Sequence, residues 1–182
     1  PWHNEELLIN NLSHYYQLSL AVLKEFGGPS IHFHIQSVKE QRDNFLSDRH
    51  IEMIYATLAS WGMHRMGDPE DTKTKMVDFD EFKKAIISHK EFFGKLLERR
   101  WDSINEDEYK DILSKLKDVY SDLKVSISES TIVAHSKTLA HLLPNLIPPI
   151  DRQYTVRFFT QDNQDFFTNS GNYRLVNLPR GK

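Results

Sequence analysis

The chain has no cysteine. Disulfides, thiolate metal sites and cysteine nucleophiles are thereby excluded, and a reducing compartment suits the sequence. It also lacks an excess of basic charge: 23 Lys and Arg face 26 Asp and Glu, for a net charge of −3. No global positive field therefore advertises a nucleic-acid partner, although a local basic patch is allowed. No apolar run approaches the roughly 20 residues of a membrane span. The opening Pro1-Trp2-His3-Asn4-Glu5-Glu6 does not have the basic-then-apolar order of a secretory leader. Gly-rich phosphate loops, dinucleotide fingerprints and G-x-S-x-G elbows are missing, so no cofactor is expected. These absences lead to the expectation of a cytoplasmic protein with no membrane association.

What is present is helical patterning. At 182 residues, 39% of them hydrophobic and 27% charged, the chain suits one compact domain with a sizeable core. Leu7, Leu8, Leu12, Tyr15, Tyr16, Leu20 and Leu23 recur near helical spacing after an Asn4 cap, until Gly27-Gly28-Pro29 stops them. Residues 30–36 alternate apolar and polar, the pattern of a short strand or an extended linker. Ser47-Asp48 opens a helix through Ile51, Ile54, Tyr55, Leu58 and Trp61 that is expected to run to Gly67. Asp78 caps a long helix with apolar positions Phe79, Phe82, Ile86, Phe93 and Leu97. Asn105, followed by acidic residues at 106–108, starts another helix, and a further one spans roughly 131–143 before Pro144. The expected fold is all-α: a globular bundle of five to seven helices, in one or two lobes, over residues 1–160. A polar C-terminal tail occupies residues 161–182.

Chemistry concentrates in Ser136–Phe159. Here an amphipathic helix is followed by a proline-bracketed turn and a lone carboxylate in Pro148-Pro149-Ile150-Asp151-Arg152. A carboxylate between a rigid turn and a helix start has a fixed position and a defined field. Asp151 reads first as the helix cap, accepting the Tyr154 amide, and alternatively as a cap whose carboxylate also stabilises a cationic sugar or activates water. Lys137 and His141 are i,i+4 neighbours that share a face. Together they read either as an amine–imidazole pair for that carboxylate or as a solvated lysine beside a boundary histidine. Arg152 and Arg157 suit either a phosphate or surface ion pairs.

The stretch Ala56–Gly67 mixes small residues with Trp61 and two methionines. It reads as a tightly packed helix or as a pocket wall, with Trp61 stacking on a planar ligand and Arg65 reaching an anion. Among nine histidines, His32 and His34 would point to one side of an extended segment as two metal ligands, with no third in an evident motif.

Ser136-Lys137-Thr138, the apolar helix after it, Ile147-Pro148-Pro149-Ile150-Asp151, and then Tyr154, Val156 and Arg157 resemble the helix-hairpin-helix base-excision DNA glycosylase superfamily. In that family a Lys-Thr-Ala-like helix start follows a hairpin, and an Ile-Pro-Val-Asp-like turn leads to a helix carrying valine and arginine. The resemblance covers residues 136–159 and implies a helical fold and a DNA partner. It places the family's catalytic aspartate on Asp151. The family's lysine, present in members that also cut the strand, falls on Lys137. The glycine-rich hairpin with which the family grips a phosphate corresponds to residues 127–135, which contain no glycine. The resemblance thus implies a shared fold more than shared catalysis.

Two functions follow as expectations. One is a nucleic-acid-related protein with a groove lined by Trp61, Arg65, Lys137 and Asp151. The other is a non-enzymatic helical module that binds a protein partner, or itself, through an exposed apolar face.

Overall fold

The computed structural model describes residues 3–65, 75–127, 131–151 and residue 155. It divides into two units, one formed by residues 28–149 and the other by residues 1–27 with 150–182. Among the described residues the regular structure is all-α, with eight α-helices and a single antiparallel bridge between Met76 and Ser126.

In the unit that contains residues 1–27, α1 (His3–Asn10) and α2 (Leu12–Glu25) are separate helices. The sequence predicts one continuous helix here, but Asn11 breaks it at φ −121°, ψ 22°. The stop is where glycine and proline predict it, with Phe26 as the extended C-cap before Gly27.

The unit of residues 28–149 begins with α3 (Pro29–Asp43), and this corrects the reading of residues 30–36 as strand or linker. Pro29 sits in the first turn behind an extended Gly28, a position that tolerates a missing N–H and favours the helical φ. Ser47 caps α4 (Asp48–Ser60) by accepting the His50 amide at 3.1 Å. That helix ends well before Gly67. Gly62 adopts φ +83°, a left-handed conformation that suits glycine, and a short 3-10 turn over Met63–Arg65 follows.

Asp78 caps α5 (Phe79–Ile87) through the Glu81 amide at 2.9 Å. The long helix expected here is broken at Ser88-His89, and α6 (Lys90–Leu96) continues after the break. Two such breaks, together with α3, raise the helix count among the described residues to eight, above the expected five to seven. Asn105 opens α7 (Glu106–Asp122) with a capping box: its side chain accepts the Glu108 amide while Glu108 reaches back.

The helix α8 (Ile132–Leu142) is the centre of this unit. Eight of its 11 residues are buried, and it packs against both α3 and α4, which also pack along each other. Its buried hydroxyls are satisfied within the helix, Thr138 donating to the Ala134 carbonyl at 2.8 Å and Ser136 to that of Val133 at 3.2 Å. Around it Ile51, Ile54, Leu58, Phe82, Ile86, Phe93 and Leu142 have no exposed surface. Each such side chain contributes about 1.5–3 kcal/mol by leaving water. No described helix is long and apolar enough to cross a membrane.

Candidate functional site

Reading residues 30–36 as helix brings His34, Ser37, Val38 and Gln41 onto one face of α3, at helical spacings of three, four and seven. It also dissolves the His32–His34 pair, because positions two apart on a helix point to opposite sides. His32 is exposed, whereas His34 is half-buried and turned toward α8.

There a cavity of about 200 Å³ opens. Three aromatic rings, those of His34, Trp61 and His141, form one part of its lining, together with Gln41. The remainder is apolar, from Val38, Ala140, Pro144, Ile147 and Pro149. The rings are mutually packed. Trp61 lies 5.6 Å from His34 and 5.4 Å from His141 between centroids, and the two imidazoles meet edge to face at 5.2 Å. Trp61 holds this position because it is the C-cap of α4, where the chain turns at Gly62.

The imidazoles form a directed chain. His141 Nδ1 is 2.7 Å from the Lys137 carbonyl, and its Nε2 is 3.0 Å from His34 Nδ1. A carbonyl only accepts, so the hydrogen of neutral His141 sits on Nδ1 and its Nε2 is a bare acceptor. Burial pushes the His141 pKa down to about 4, with the His34 charge acting in the same direction and the bond to the Lys137 carbonyl opposing it. The ring is therefore neutral at physiological pH. His34 Nδ1 must then donate to His141 Nε2, and burial lowers the His34 pKa as well. What remains is a lone pair on His34 Nε2, an acceptor with no partner among the described residues.

His50 lies nearby but has a different task. It is wholly buried, and its Nδ1 accepts the Leu46 amide at 3.1 Å. Leu46 carries φ 59°, an unfavourable conformation for a branched side chain, which this bond holds in place. Burial first, and the charge of His141 second, lower the His50 pKa to about 4. Its Nε2 is buried with no hydrogen-bond partner among the described residues.

The candidates from sequence distribute as follows. Trp61 is a pocket wall. His141 lines the cavity too, yet it is 5% exposed and thus buried rather than a boundary residue. The Lys137 ammonium sits 5.4 Å from the centroid of the Trp61 ring, a cation–π arrangement. Arg65 is exposed at the end of the 3-10 turn and does not line the cavity. Asp151 belongs to the other unit, where its carbonyl accepts the Thr155 amide at 2.8 Å and its own amide donates to Thr155 Oγ1 at 3.1 Å. Arg152, Tyr154, Val156 and Arg157 lie outside the described residues, as do residues 128–130 of the hairpin counterpart and the tail 161–182. Among the described residues no three His, Asp or Glu side chains are grouped to hold a metal ion.

Sequence reasoning missed Gln41, Val38 and Ile147. The signal for the first two was the polar stripe on α3, hidden by a period-two reading of residues 30–36. No family model, curated protein or solved structure matches the chain.

Proposed function

We propose that the chain is a helical protein-interaction module that docks a second apolar helix on α2. The observation that carries this reading is the exposed face of that helix. None of its 14 residues is buried. Leu12 is 63% exposed, Tyr16 59%, Leu18 54%, Val22 59% and Leu23 49%. At 3.6 residues per turn these five fall within an arc of about 160°, the apolar stripe of an amphipathic helix turned toward water. Leu7, Ile9 and Phe26 extend the exposure at both ends. A continuous apolar surface of this kind is an interaction site or an aggregation hazard. In a solution of the pure protein, the partner that can cover it is the α2 of another copy. A cytoplasmic setting belongs to this proposal, on the absence of cysteine.

Sedimentation velocity across a wide concentration range tests it. Self-association that disappears in the Leu12→Glu, Leu23→Glu double variant is the expected result. A chain that stays monomeric at the highest concentrations overturns the reading.

A second reading, nucleic-acid-related, is favoured by one arrangement: Trp61 and His141 line a cavity, and the Lys137 ammonium packs on the Trp61 ring, so an aromatic face and a cation lie together. DNA binding in this reading is a local property, since the net charge of −3 offers no general attraction. Fluorescence anisotropy with single-stranded, duplex and abasic DNA at low and moderate salt decides it. Absence of salt-sensitive binding to all three removes it. If binding is found, base release that survives Asp151→Asn takes Asp151 out of any glycosylase-like mechanism.

A further inference from the structure

The cavity at Trp61 has a hydrogen-bonding pattern as well as a shape, and the pattern specifies a ligand class independently of docking on α2. No Lys, Arg, Asp or Glu lines it. An ion entering it would lose its hydration without gaining a counter-charge, so a charged ligand is disfavoured. The volume of about 200 Å³ suits one or two fused rings rather than a chain or a sugar phosphate. Its walls are an indole, two imidazoles and two prolines, rigid surfaces against which a flat ring packs with little loss of freedom.

Two polar groups in that lining are incomplete. His34 Nε2 is left as an acceptor by the direction of the His34–His141–Lys137 chain. Gln41 is 9% exposed, lines the cavity, and its side-chain amide has no hydrogen-bond partner among the described residues. Neither atom of the amide is among the fully buried, unpartnered ones, so a ligand in the cavity replaces water at the amide with a direct bond. The amide supplies both a donor and an acceptor, whereas His34 supplies an acceptor alone.

We propose that this cavity binds a small, uncharged, planar lactam or related heterocycle, whose ring N–H donates to His34 Nε2 and whose carbonyl accepts from the Gln41 amide. The Trp61 indole packs against the ring, and His141, locked by the Lys137 carbonyl, fixes which nitrogen of His34 faces the ligand. The same chemistry occurs in a free heterocycle and in a lactam-bearing base of a nucleic acid strand.

The test is a titration of the full chain, labelled with nitrogen-15 in its histidines, with oxindole as the probe. Before addition, the spectrum is expected to show both His34 and His141 as Nδ1–H tautomers. The opposite tautomer at His34 overturns the proposal by removing the acceptor. On addition, the His34 Nε2 resonance is expected to move while that of His135, which does not line the cavity, does not. N-methyloxindole keeps the ring and the carbonyl but lacks the donor, and is expected to bind about tenfold more weakly. Gln41→Leu, which keeps the volume and removes the amide, is expected to weaken oxindole by a similar factor while the histidine tautomers stay unchanged. Equal binding of the two probes, or no movement at His34 up to saturating oxindole, overturns the proposal. Competition with oligothymidylate separates the two sources. Displacement of oxindole assigns the cavity to a base in a strand, and continued oxindole binding assigns it to a free heterocycle.

Discussion

α8 and α2 are both apolar-striped helices, and they dispose of that stripe in opposite ways. In α8, eight of 11 residues are buried, including four polar ones: Ser136, Thr138 and His141 bond to carbonyls of the helix, and the His135 ring packs against Tyr120. In α2, none of 14 is buried, although leucine, valine and tyrosine fill nearly half of its circumference. Periodicity alone therefore does not tell a core helix from a docking helix. What separates them is the residues around the stripe. α8 carries Ala134, Ser136 and Thr138, small enough for neighbours to close over them, whereas α2 carries His14, Gln17, Lys24 and Glu25, which need water.

If the difference is real, equivalent truncations must have unequal effects. In the core of residues 28–149, Phe82→Ala or Phe93→Ala removes a side chain with no exposed surface and is expected to cost about 3–5 kcal/mol in urea unfolding. Leu23→Ala in α2 is expected to change the stability of the monomer by about 0.5 kcal/mol or less. Comparable losses at the two places would erase the contrast.

Acid is the next largest lever, and it too acts on one region. His50, His135 and His141 have pKa values lowered to about 4, burial being the first cause for each. The folded state resists protonation while the unfolded chain takes up protons from its ordinary value of 6.5. Stability is thus complete above pH 6.5, falls as the pH drops toward 4, and levels off below. Each histidine contributes on the order of 3 kcal/mol to that fall. The sum is smaller than three separate losses, because His141 acts on His50. Chemical unfolding followed across that pH window checks the slope, and a flat profile would show that these rings are solvated.

The N-terminal cap of α7 gives a smaller effect. Asn105→Ala removes the acceptor for two backbone amides and is expected to cost about 1 kcal/mol.

The fold class was legible because helix starts and stops are written in side chains that act locally: Ser47, Asp78 and Asn105 each accept an amide in the first turn. Asn11, Ser88 and Gly62 broke helices that periodicity ran together, since the apolar spacing continues through the break while the backbone does not. The site was half legible. Trp61, Lys137 and His141 stood out as residue types, and two of them share α8. Gln41 and His34 did not stand out as cavity residues, because an alternating Ile31, Phe33, Ile35 pattern imitates a strand, and tertiary packing on α4 decides for helix. The direction of the imidazole chain was beyond sequence altogether, since it depends on one carbonyl at 2.7 Å.

The most direct measurement of the central claim is sedimentation velocity on the wild-type chain and on the Leu12→Glu, Leu23→Glu variant, over the same concentrations. An exposed α2 face predicts a concentration-dependent shift to a larger species in the wild type and a monomer in the variant, with unfolding midpoints of the two monomers nearly equal. A wild type that remains monomeric throughout, or a variant that associates as the wild type does, would contradict it.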